Sequence, residues 1–171
     1  MKSHSNLVLI GMPGAGKSTV GVLSAKALGL DFLDTDVAIQ QATGNLLQDI
    51  IREHGIETFL EIEDAVLSSL EADNCVIATG GSAVLCPQAM QQLRRESLVV
   101  YLSVPLAELQ RRITNMGERG IAMEAGQQLA DVFAEREPHY NRLADHIVAC
   151  HDLDIEQTVH AVNKIWLSHL V

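Results

Sequence analysis

The chain of 171 residues is short of positive charge: 12 Lys and Arg stand against 22 Asp and Glu, a formal charge of -10. A polyanion held by charge alone needs a basic face, so neither nucleic acid nor an anionic membrane surface is an expected partner. No apolar run approaches the roughly 18 residues of a membrane-crossing helix. With 47% hydrophobic and 20% charged residues the composition is that of a folded globule. Cysteine is scarce: Cys75, Cys86 and Cys150 are odd in number and far apart, and they form no C-x-x-C pair. Neither a disulfide framework nor a zinc knuckle is indicated, and a reducing cytoplasm is the expected setting. The seven histidines show no metal-ligand spacing. Repeats, low-complexity tracts and linkers are absent, and the length suits one domain over 1–171, expected to work as a monomer.

What is present alternates between short apolar runs and segments of helical period. Leu7–Ile10, Asp31–Leu33, Cys75–Ala78, Leu98–Leu102 and Ile147–Ala149 read as strands. Helices are expected over Ser18–Leu28, Val37–Thr43, Leu46–Ala72 with a break at Gly55, Pro87–Glu96, Pro105–Thr114, Gln127–Glu137 and Ile155–Leu170. Asn115–Gly126 has three glycines and little period and reads as a loop. Such alternation implies a parallel sheet covered on both faces, with ligands at the carboxyl ends of the strands. Gly11, Asp34 and Gly80 all fall at such ends.

Gly11-Met-Pro-Gly-Ala-Gly16-Lys17-Ser18 matches G-x-x-x-x-G-K-[ST] in full, between a predicted strand and a predicted helix. Successive backbone N–H groups must wrap closely around phosphate oxygens, so glycine is needed where a Cβ would clash. Lys17 reaches the β- and γ-phosphates and the Ser18 hydroxyl can ligate Mg²⁺. The parts of a motor or switch protein are missing. Cys75–Ala78 runs into Thr79-Gly80 and Leu98–Leu102 into Ser103 rather than into the Asp such proteins carry, and Asn163-Lys164-Ile165-Trp166 lacks the Asp of a guanine-reading N-K-x-D. Acids come instead from Asp34-Thr35-Asp36. Alternation along an extended segment is expected to point both carboxylates the same way, about 7 Å apart, one toward a metal and one toward an acceptor hydroxyl. A pair of helix-capping acids explains the same residues about as well. Arg111, Arg112, Arg119 and Arg136 gather in the last third, and Arg119 lies in the glycine-bearing loop, where a lid could carry it onto a transferring phosphate.

Together these parts resemble the shikimate kinase family over about Leu7–Ile147. The resemblance rests on Gly11 to Thr19, Leu33-Asp34-Thr35-Asp36, Phe59 and Glu63, Thr79-Gly80-Gly81-Ser82-Ala83-Val84, Arg119, and Arg136-Glu137-Pro138-His139-Tyr140. It implies a three-layer α/β P-loop fold of the nucleoside-monophosphate-kinase type, with a five-stranded parallel sheet in order 2-3-1-4-5. A helical acceptor-binding insert over about 36–72 and a lid over about 115–126 come with it, as do ATP and Mg²⁺. Carried over by residue, Gly14, Ala15, Gly16, Lys17, Ser18 and Thr19 hold the phosphates, Arg112 stacks on adenine and Arg119 reaches the γ-phosphate. Ser18 and Asp34 hold Mg²⁺, Asp36 takes the acceptor hydroxyl, Gly80 and Gly81 line the acceptor site, and Arg136 pairs with the acceptor carboxylate.

The departures fall on the acceptor side. Leu60 follows Phe59 where the family has Arg, Ser82 stands for a third glycine, and Arg119-Gly120-Ile121-Ala122 replaces Arg-Pro-Leu-Leu. One carboxylate clamp fewer costs about 1.5–3 kcal/mol. The expected reaction is transfer of the ATP γ-phosphoryl group to a small hydroxy acid, shikimate first. Homoserine or gluconate is an alternative acceptor, a zwitterion suiting one arginine better than two. A nucleotide-binding protein without acceptor chemistry is the reading of a different class.

Overall fold

The computed structural model describes residues 5–113 and 121–170. Five strands form one parallel sheet: β1 (Asn6–Ile10), β2 (Asp31–Asp34), β3 (Cys75–Ala78), β4 (Ser97–Ser103) and β5 (His146–Ala149), in the order β2-β3-β1-β4-β5. The three central strands are almost wholly buried and read as unbroken apolar runs, because helices cover both faces. The edge strand β2 is partly exposed.

Among the described residues seven helices connect and cover the strands: α1 (Lys17–Leu28), α2 (Thr35–Thr43), α3 (Leu47–Ser68), α4 (Pro87–Leu93), α5 (Leu106–Arg112), α6 (Leu129–Leu143) and α7 (Ile155–His169). Glycines in the left-handed region end α1 at Gly29 and α2 at Gly44. Gly55 (φ 82°, ψ 170°) breaks the helical path of α3. Beyond it Phe59 and Glu63, four residues apart and therefore on one face, are carried into the interior.

The sheet order and the break at Gly55 match the sequence reading; three local expectations need correction. Asp34-Thr35-Asp36 is not extended: Asp34 ends β2, its carboxylate accepts the Asp36 N–H at 2.9 Å, and α2 begins at Thr35. The capping role is therefore real, and the alternation argument fails because the helix starts one residue after the strand ends. α6 continues past Glu137 to Leu143, since Pro138 sits inside the helix without ending it. A 3₁₀ turn at Ala83–Leu85 precedes α4, which stops at Leu93. Among the described residues no helix is long and apolar enough to cross a membrane, and the three cysteines are buried and free.

Candidate active site

The loop after β1 turns into α1 at Gly16, whose φ of 92° is open to glycine and strained for other residues. Lys17 opens the helix and folds back over the loop. Its Nζ donates to the carbonyls of Gly11 at 2.7 Å and Met12 at 2.8 Å, and its side chain is buried. Burial lowers its pKa to about 8, opposed by the nearby Asp36 and Asp34 carboxylates. Beside it, the Ser18 hydroxyl donates to Asp34 Oδ2 at 2.6 Å.

One cavity of about 460 Å³ runs from this loop across the carboxyl ends of β1 and β3. Gly14, Gly16, Lys17, Ser18 and Thr19 line the loop side; Asp36, Gly80, Gly81, Ser82 and Arg136 line the other. Thr79 fixes the turn after β3 by donating its hydroxyl to the Leu9 carbonyl at 2.9 Å, and Gly80 N–H donates to Thr35 Oγ1 at 3.0 Å. A Cβ on Gly80 would lie 2.6 Å from Asp36 Oδ1 and 3.2 Å from Glu63 Oε1. Only glycine leaves room there for two carboxylates.

Burial raises the Asp36 pKa to about 6, aided by Asp34 and opposed by Lys17. Glu63 has no exposed surface, and burial raises its pKa to about 7 against the Ser82 hydroxyl, which donates to its Oε2 at 2.6 Å. Glu63 Oε1 finds no partner among the described residues. Arg136, 1% exposed, donates Nη2 to the Ala122 carbonyl, while its Nε and Nη1 are left without partners. The Tyr140 hydroxyl, one helical turn beyond Arg136, donates to the Gly81 carbonyl at 2.6 Å and ties α6 to the turn after β3. The buried Arg136 guanidinium, with open donor atoms, and the half-buried Asp36 carboxylate line this pocket, and the buried Glu63 carboxylate lies beside Gly80. That arrangement suits a small polar anion bearing hydroxyls.

The shikimate kinase family profile matches residues 13–166. The chain belongs to the shikimate kinase family. It is 33% identical over 170 residues to shikimate kinase 2 of Enterobacter sp. (strain 638), covering 96% of this chain and 92% of that one. It is 39% identical over 147 residues to the shikimate kinase of Nitrosomonas europaea, covering 84% and 69%. The structure of Acinetobacter baumannii shikimate kinase in complex with shikimate superposes with a TM-score of 0.86 at 29% identity, over 98% of this chain and 95% of that one. Candida albicans thymidylate kinase, at 14% identity and a TM-score of 0.66, shares the fold alone. The chain is thus an ATP-using phosphotransferase whose acceptor is a hydroxyl group.

Most residues expected at the kinase site converge on the cavity. Arg119 lies outside the described residues, as do 115–118 and Gly120 of the expected lid; Ile121 and Ala122, from its second half, line the pocket. Asp34 reaches the site through Ser18. Ala15 and Arg112 face a neighbouring cavity of about 620 Å³, reached past Gly16 and Thr19. There Arg112 donates Nη1 to the Gly14 carbonyl at 3.3 Å and pairs with Glu108. Cys150, Leu153 and Ile155 form the far wall of that cavity, which sequence reasoning missed because no motif marks the turn between β5 and α7. The Ser82–Glu63 bond and the Tyr140–Gly81 bond were also missed. For Tyr140 a signal existed: it stands four residues after Arg136, on the same helical face.

Proposed function

We propose that this kinase transfers the γ-phosphoryl group of ATP to a hydroxyl of shikimate, in the cytoplasm. The observation that carries the proposal is the single cavity joining Lys17 and Ser18 to Asp36, Gly80 and Arg136. Backbone N–H groups of the loop and Lys17 hold the phosphates and counter the charge that develops during transfer. Asp36 accepts the acceptor hydroxyl and directs its oxygen at phosphorus, so catalysis is mainly positioning. The two free donor atoms of Arg136 take the acceptor carboxylate. Arg119 is proposed to reach the transferring phosphate from the lid, and Arg112 to lie against adenine in the neighbouring cavity.

The Ser18 hydroxyl and Asp34 carboxylate, 2.6 Å apart, are hard oxygen donors of the kind Mg²⁺ takes, and the two residues fit that ion. Bound there, Mg²⁺ would supply charge neutralisation at the β- and γ-phosphates. Asp34 serves two ends, since its other oxygen caps α2 and so fixes Asp36 relative to the loop.

A second acceptor is favoured by one feature: Asp36 and Glu63 put two carboxylates beside Gly80, and among the described residues only the Arg136 guanidinium stands against them, which suits a zwitterion such as homoserine. ADP release with Mg²⁺-ATP and shikimate, homoserine, gluconate and nucleoside monophosphates in turn decides between them. Stimulation by shikimate well above the others is the expected result. Stimulation by homoserine alone overturns shikimate, and stimulation by none overturns the kinase proposal.

A further inference from the structure

Three arginines lie on the opposite side of α6 from the acceptor pocket, and none has a carboxylate partner among the described residues. Arg94 and Arg95 follow α4, Arg142 lies in the last turn of α6, and none of them enters the ion pairs formed among the described residues. In a chain with 22 acids and 12 Lys and Arg, three cations gathered without an ion pair are unexpected. Arg95 donates to Gln92 Oε1 at 3.5 Å, and Arg142 Nη2 lies 3.0 Å from His139 Nδ1.

All three arginines line one groove of about 770 Å³ between the 3₁₀ turn, α4 and the end of α6. Its floor is apolar, set by Met90 at 2% exposure and Val84 at 4%, with Leu143 beside them. Among the described residues one acid lines the groove, Asp145, whose Oδ2 accepts the Val99 N–H at 2.9 Å. The volume is that of a small-molecule site. α6 separates groove from pocket: Arg136 lines the acceptor pocket, whereas His139 and Arg142 line the groove.

An apolar floor rimmed by guanidinium groups complements one kind of ligand. A bare inorganic anion would leave the floor wet, and a neutral apolar molecule would cover charged groups without pairing them. We propose that this groove is a second ligand site of the kinase, for a small amphipathic anion that joins an apolar or aromatic body to one or two carboxylates. The body lies on Met90 and Leu143, and the carboxylates meet Arg94, Arg95 and Arg142.

The test uses the full chain with ¹³C-methyl methionine, saturating ADP, and benzylmalonate as the probe, its diamide serving as the uncharged counterpart. Met90 reports the groove; Met12, whose sulfur lies 3.9 Å from the Tyr140 hydroxyl, reports the active site. Benzylmalonate should shift the Met90 methyl in a saturable way, and the diamide should not. R94A/R142A, two exposed positions outside the catalytic machinery, should raise the midpoint at least tenfold while ADP release stays at the wild-type rate. A Met90 signal that does not move, an equal response to the diamide, or an unchanged midpoint in R94A/R142A would each overturn the proposal.

Discussion

Lys17 and Arg136 are both buried cations facing the same cavity, yet the protein provides for them differently. Lys17 is satisfied by the carbonyls of Gly11 and Met12, six and five residues away, so the phosphate side is arranged without a ligand. Arg136 keeps one bond, to the Ala122 carbonyl, and leaves two donor atoms buried and unpaired; Glu63, beside Gly80, leaves one acceptor atom so. Each unpaired buried group costs about 1–3 kcal/mol, a cost an acceptor carboxylate or hydroxyl relieves on binding. The phosphate half is thus a rigid local device, and the acceptor half is completed by its substrate.

Breaking the phosphate half has the largest expected effect. K17A should lower kcat by roughly a thousandfold, because no other described cation lines the loop side of the cavity. Steady-state ADP release measures it. D36N, at the boundary between the halves, should lower kcat by about a hundredfold while the KM for ATP stays put. A matching rise in ATP KM would put Asp36 on the phosphate side instead.

Glu63 sharpens the contrast through stability. Its folded pKa of about 7 lies above the unfolded value, so it favours folding fully below about pH 4.5 and loses that contribution as pH rises through 7. E63Q removes the ionisation while retaining an acceptor for Ser82. Relative to wild type, E63Q should therefore gain about 2 kcal/mol between pH 5 and pH 8, read by denaturant unfolding without ligands. An unchanged difference across that range would mean that Glu63 is paired when charged. The smallest effect is expected from R136K, which keeps the charge but loses the fork: the acceptor KM should rise about tenfold with kcat nearly unchanged.

The same contrast decides how much could be read from the sequence. The strand, glycine turn and helix from Asn6 to Leu28 were legible because periodicity, turn chemistry and motif lie within a few tens of residues and agree. The five-stranded order followed from resemblance and matches the structure. Asp34 and Asp36 were found as residues, but their geometry was misread, since strand and helix meet at Asp34 and a cap replaces alternation. The helix expected over Gln127–Glu137 runs on to Leu143 with Pro138 inside it, because packing of α6 outweighs one lost backbone bond. The Ser82–Glu63 bond joins residues 19 apart and the Tyr140–Gly81 bond residues 59 apart, so neither leaves a local pattern. Arg142, in α6, meets Arg94 and Arg95, just after α4, only in the fold.

The central claim is that an acceptor carboxylate completes Arg136 while the phosphate side stands ready. Initial rates with shikimate and with its carboxamide, at saturating Mg²⁺-ATP, address it most directly. The account predicts that kcat/KM for shikimate exceeds that for the amide by roughly ten- to a hundredfold, and that R136K reduces the gap. Equal kcat/KM for acid and amide in the wild-type kinase would contradict it.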